Sequence, residues 1–312
     1  GDGHCTRPPA LGSRTGAARS PPAAWYRAPD ATDSHPRPDA RPLPEGDVAL
    51  PAQAADMVTV LGLAGLFIAA VFAGAVNSVA GGGSLISFPS LVAYGETAIV
   101  ANATNTAGIW PGSLSSALAY RRDTEIHAGV MLTLLLPSAV GGLLGAFVLV
   151  ITPPALFDGI VPFLVLFATL LFALRGPISR WTGAANHAEE RVTLGGRIWG
   201  FVFQLFVATY GGYFGAGIGI LMLGSLSVMG LRDIHRMNAL KTILGTLINV
   251  IAFVFFAFKG LVVWHLAVLM GAGSIVGGWV GARGAKRVDP RYLQAFVIAV
   301  GVGVSAWLFF KH

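Results

Sequence analysis

The chain has 312 residues, 54% of them hydrophobic and 12% charged, with a formal net charge of +6 and one cysteine, Cys5. Soluble globular chains carry about 25% charged residues, whereas here Glu96 is the sole charge between Met57 and Tyr120, and 201–231 has none. Apolar runs of this length exclude a soluble fold of this size. The basic residues cluster in short stretches between those runs, which marks cytoplasmic loops rather than a nucleic-acid surface, and a lone cysteine excludes both a disulfide framework and a thiolate metal site within the chain.

Residues 1–56 stand apart. They hold ten of the 18 prolines, six arginines and seven acidic residues, and their large aliphatics are Leu11, Leu43, Val48 and Leu50. So little apolar surface does not offset the entropy of ordering, so the segment reads as a disordered tail. It lacks the 7–15-residue apolar core of a signal peptide. Two origins stay open, a genuine unstructured tail or a mispredicted extension ahead of Met57.

From Met57 the predicted elements are ten apolar segments: 57–80, 83–95, 98–120, 126–151, 154–175, 198–214, 217–230, 234–258, 262–282 and 291–310. They are continuous rather than alternating, which predicts helices, and only helices or closed barrels satisfy backbone groups in lipid. A membrane helix needs ~20 residues to cross a ~30 Å core, so 83–95 and 217–230 are too short. Each follows a glycine cluster.

The chain repeats itself. Asn102-Ala103-Thr104-Asn105-Thr106 returns as Asn238-Ala239-Leu240-Lys241-Thr242, and Gly141-Gly142-Leu143-Leu144-Gly145-Ala146 as Gly277-Gly278-Trp279-Val280-Gly281-Ala282, both offset by 136 residues. Ser138 and Pro154 return as Ser274 and Pro290, and Gly81-Gly82-Gly83 corresponds to Gly215-Ala216-Gly217 at an offset of 134. Loop charge sets the relative orientation of the halves. With five segments per half, Arg121, Arg122, Arg175, Arg180, Arg191, Arg197, Arg232, Arg236, Arg283, Lys286, Arg287 and Arg291 fall on one side, against Lys259 and Lys311 on the other. With four segments per half the same loops split almost evenly. Positive residues concentrate in the cytoplasm, so the expected architecture is all-α, a polytopic membrane protein of two inverted five-segment repeats with discontinuous helices. The first repeat is 57–175 and the second 198–312, joined by a cytoplasmic linker at 176–197. Inverted repeats with broken helices are a transporter architecture, with the substrate near the midplane.

The candidate site lies at the glycine clusters, Gly81-Gly82-Gly83-Ser84 and Gly215-Ala216-Gly217-Ile218-Gly219. Glycine lets the chain break and reverse while leaving amides uncovered, and a short helix starting there points its positive end at an anion. Taken singly, each cluster reads as close helix packing; paired ahead of undersized helices, the two read as a binding site. Lys241 lies inside 234–258, and two readings stand: it snorkels to the cytoplasmic interface, or it faces a cavity as a buried charge, which costs ~2.5–3.5 kcal/mol on insertion scales. Its repeat mate Asn105 sits beside Thr104 and Thr106. Asn102 and Asn238 are candidates to hydrogen-bond the broken backbone, His127 and His265 read as interface residues, and Asp158 reads as wetted.

Several stretches resemble the TauE/SafE family, also called the toluene-sulfonate uptake permease family. They are Ala73-Gly74-Ala75-Val76-Asn77-Ser78-Val79-Ala80-Gly81-Gly82-Gly83-Ser84, Pro89, Ala101-Asn102-Ala103-Thr104-Asn105, Gly211-Gly212-Tyr213-Phe214-Gly215-Ala216-Gly217-Ile218-Gly219 and Asn238-Ala239-Leu240-Lys241. The resemblance covers 57–312 and implies a substrate among sulfite, sulfonates and other sulfur-containing anions; the residues themselves reach a small anion.

The expectation is therefore a secondary transporter of small anions in a bacterial cell membrane. The bilayer and the anion are its partners, nucleic acid is excluded, no cofactor is implied, and a homo-oligomer is left open. An anion channel is the nearest alternative. An intramembrane enzyme built on Ser113, Ser115 and Ser116 is a more distant one, with no histidine evident at depth.

Overall fold

The structure is a computed structural model, and it describes residues 52–120, 128–174, 194–229, 231, 233–284 and 290–311. Ten helices follow in chain order: α1 (Ala52–Ala80), α2 (Ser84–Tyr94), α3 (Ala98–Tyr120), α4 (Ala128–Ile151), α5 (Pro154–Ala173), α6 (Leu194–Tyr213), α7 (Ile218–Val228), α8 (Ile234–Phe258), α9 (Trp264–Gly284) and α10 (Pro290–Lys311). No strand occurs among the described residues. Each expected segment is a helix. Two begin earlier than expected: α1 at Ala52, where Ala and Gln favour helix ahead of the apolar run, and α6 at Leu194, inside the stretch read as linker. Pro154 and Pro290 open α5 and α10, where the missing N–H costs no bond.

Five helices are long and apolar enough to cross a membrane, within Thr59–Ser78, Gly129–Ile151, Pro154–Ala173, Arg236–Phe258 and Trp264–Arg283. Their flanks expose large apolar side chains, among them Leu132, Leu136, Phe163, Leu170 and Val268, a belt that suits lipid rather than water. α3 is long but more polar, and it turns that polarity inward: Asn102, Thr104, Asn105, Ser113 and Ser116 are all buried. At 11 residues each, α2 and α7 reach about 16 Å, half the hydrocarbon core.

The repeated glycine motif has a packing role. α1 lies along α9, and α6 lies along α4. Gly277 faces the Val71 carbonyl and Gly281 faces Ala75, while Gly141 faces the Leu205 carbonyl and Gly145 the Thr209 carbonyl. Val71 and Leu205, like Ala75 and Thr209, are 134 residues apart; the glycines are 136 apart. One interlock is thus built twice, each time between an element of one half and an element of the other. At all four glycines a Cβ would collide with main chain, so close helix approach requires the small residue. α3 packs on its counterpart α8, and α5 on its counterpart α10.

Candidate functional site

Both short helices follow a left-handed glycine. α1 ends in a turn closed by the Gly81 amide on the Val76 and Asn77 carbonyls (3.3 and 3.0 Å), and Gly81 has φ +78°. The chain then reverses into α2. In the second half, the amides of Phe214 and Gly215 close the end of α6 on the Tyr210 carbonyl, and Gly215 and Gly217 have φ +77° and +75° before α7 begins. The Tyr210 hydroxyl, donating to the Ala216 carbonyl at 2.7 Å, staples this loop to α6. The two breaks touch. A Cβ placed on Gly81 would lie 2.8 Å from the Gly219 Cα, and one on Gly219 would lie 2.8 Å from the Gly81 Cα. Two interrupted helices from opposite halves therefore meet backbone to backbone, with the first-turn amides of α2 and α7 at the junction.

Beside this contact lies a cavity of about 30 Å³, bordered by Gly81 and Gly219. α8 lines it with Lys241, Gly245 and Asn249, one residue per turn, and with Thr242. α1 adds Asn77 and α3 adds Ser113; the Asn77 amide donates to the Ser113 hydroxyl at 2.8 Å. Ile218 and Met222 form its apolar wall. The lining carries no carboxylate. Lys241 is only 3% exposed; its ammonium donates to Asn238 Oδ1 at 3.1 Å, and its Cδ would lie 3.2 Å from a Cβ on Gly219. The side chain is therefore turned into the protein, against the glycine junction, and not out to the interface. One full positive charge and the positive ends of two half-helices share one small polar space.

The expected site residues divide. Gly81, Gly219 and Lys241 come together at the cavity. Gly82 is buried beneath the Phe172 ring, Gly83 packs on the Ala73 carbonyl and Asn77, and Gly217 packs on Ala168. Ser84 is half-buried as the first residue of α2, and Gly215 sits at the α6 end of its break. Thr104 and Asn105 face other partners: the Thr104 hydroxyl accepts from the Val263 amide at 3.0 Å, and Asn105 Oδ1 accepts from the Ser87 hydroxyl. Asn102 does hold the broken backbone, its Nδ2 donating to the Tyr213 carbonyl at 2.9 Å. Asp158 is half-buried and His265 exposed, while His127 lies outside the described residues. Ser115 and Ser116 bond helix carbonyls, Ser115 at Ile275 and Ser116 at Gly112 and Gly278.

Sequence reasoning missed Asn77, Ser113, Thr242, Gly245 and Asn249. Signals for them exist. Ser113 and Asn249 are 136 residues apart, and 241, 245 and 249 follow helical i, i+4, i+8 spacing. Among the described residues no group of three or more His, Cys, Asp or Glu side chains is arranged to hold a metal ion.

Ten helices with a lipid-type surface, two of them half-length and abutting beside a buried lysine, define a multi-pass membrane protein of transporter type. The chain belongs to the sulfite exporter TauE/SafE family, whose profile matches residues 66–308. It is 32% identical over 248 residues to a probable membrane transporter protein, ORF9, of Sinorhizobium sp, covering 78% of this chain and 90% of that protein. It is 26% identical over 245 residues to a probable membrane transporter protein of Haemophilus influenzae, covering 78% and 93%. A further relative, the probable membrane transporter protein YfcA of Escherichia coli K12, is 26% identical over 259 residues, covering 81% and 92%. No solved structure matches. The protein is a membrane transporter.

Proposed function

We propose that this transporter moves small anions, sulfur oxyanions or organosulfonates, across a bacterial cell membrane by alternating access. The observation that carries this is Lys241, buried at the junction of Gly81 and Gly219 in a lining without carboxylates. Two helix ends of roughly half a positive charge each, plus one lysine, balance a monovalent or divalent oxyanion. Ser113, Thr242 and Asn249 add polar groups to orient it, and the family description supports sulfite and its chemical relatives as the class. Two inverted halves rocking about the junction would expose it to each side in turn; the interlocks exchanged between halves and the asymmetry of loop charge both support that geometry.

The test is flux and binding with purified protein in liposomes, across sulfite, sulfate, thiosulfate, taurine and sulfoacetate. Saturable uptake of at least one sulfur anion, competed by its relatives, is expected. Flux that rises linearly without saturation would favour a channel, and no flux of any of the five would remove the substrate class.

Inverted halves also make a labelling prediction. In a Cys5-free protein, a cysteine at Ala185, in the linker outside the described residues, reacts with impermeant thiol reagents from the cytoplasm alone. One at Gly260, between α8 and α9, reacts from the outside alone. Labelling of both from one face would mean that the halves run parallel.

A further inference from the structure

The two halves treat one repeated position differently. In the second half Asn238 Oδ1 accepts from the Lys241 ammonium, three residues on. In the first half the same places hold Asn102 and Asn105, so no lysine is present. Asn102 is 1% exposed, and its Oδ1 has no hydrogen-bond partner among the described residues. Its orientation follows from its neighbour: the Tyr213 carbonyl needs a donor, so Nδ2 faces that carbonyl and Oδ1 faces the other way. Buried polar atoms are normally satisfied. The other unpartnered buried atoms belong to Ser78, Gln204, Ser225 and Ser305; of the five, Asn102 Oδ1 alone has a repeat mate that binds a cation.

The surroundings suit positive charge. The C-terminal end of α6, at Tyr213, abuts Asn102, and the last carbonyls of a helix carry roughly half a negative charge. One turn along α3, Asn105 Oδ1 accepts from the Ser87 hydroxyl and keeps a second lone pair. Every group is a neutral, hard oxygen, a donor set that matches an alkali cation and not a transition metal.

We propose that the first half binds a sodium ion at Asn102, Asn105 and the end of α6, the counterpart of the Lys241 ammonium on Asn238. The ion bridges α3 to the broken end of α6. That break continues through Gly215 and Gly217 to Gly219, which walls the anion cavity, so ordering one end of the break orders the other. A cation and an anion bound at opposite ends of one interrupted helix favour each other's binding. This coupling rests on the anion site proposed above; the sodium site does not.

Thermal unfolding of the purified full-length protein, with chloride held constant and no sulfur anion present, separates the two. Replacing choline by sodium is expected to raise the melting temperature saturably, as for a ligand that binds only the folded state, and potassium at equal concentration is expected to do so at least tenfold less effectively. Asn105→Lys, which rebuilds the arrangement of the second half, should abolish the sodium response. Asn102→Asp, which adds a charge to the same oxygen, should lower the sodium concentration for half-effect about tenfold. The proposal is overturned if the native protein melts alike in sodium and choline, or if both variants keep the native sodium response. A flat sulfite response beside an intact sodium response would sink the anion reading alone.

Discussion

Lys241→Gln is expected to weaken sulfur-anion affinity tenfold or more, about 1.4 kcal/mol, the scale of one partly desolvated charge-assisted contact. Glutamine retains a donor for Asn238 Oδ1, the present partner of the ammonium, so no buried acceptor is stranded. Removing a charge from the membrane interior is not itself costly, and the melting temperature without anion should stay within a few degrees of native. Calorimetric titration on both proteins, beside thermal unfolding, measures the two effects separately. Native affinity in folded Lys241→Gln protein would leave the anion to the backbone amides and hydroxyls.

Gly81→Val should abolish transport. At φ +78° a β-branched residue is strained by about 1–3 kcal/mol, and its Cβ would lie 2.8 Å from the Gly219 Cα, which is main chain and does not swing aside. The two breaks would be forced apart and the cavity between them lost. Gly82→Val meets the Phe172 ring instead, a side chain that can turn, so its effect should be smaller. Gly65→Ala is the control: nothing lies within 4 Å of its Cβ, and alanine favours a helix over glycine by about 1 kcal/mol. Initial uptake rates normalised to membrane-inserted protein provide the comparison. Rates within twofold of native for Gly81→Val would show that the glycine contact is not part of the transport path.

Legibility in the sequence followed the range of the interaction. The ten helices, the half-length of α2 and α7, and the breaks at Gly81 and Gly215 are all present in the linear text. Apolar run length and glycine act within a few residues. The repeat was legible too, because duplicated segments keep their spacing. Asn102 was identified correctly as a backbone clasp, but its partner was not, since Tyr213 lies 111 residues on.

What the two glycine motifs do differs by context that no local pattern carries. Gly141, Gly145, Gly277 and Gly281 seat one helix on another, whereas Gly81 and Gly219 bring two broken ends together. The inward turn of Lys241 was equally undetermined, because a long flexible side chain at that depth can reach the interface or the interior. The sequence by itself determined which segments enter the membrane and where two of them break, since desolvation of the backbone and the steric freedom of glycine are properties of short stretches. Only the docking of the two halves decided that Gly81 meets Gly219, that Lys241 closes on their junction, and that Asn77, Ser113 and Asn249 line the same space. Those contacts join residues from opposite halves of the chain, and they form only when the repeated interlocks fix one half against the other.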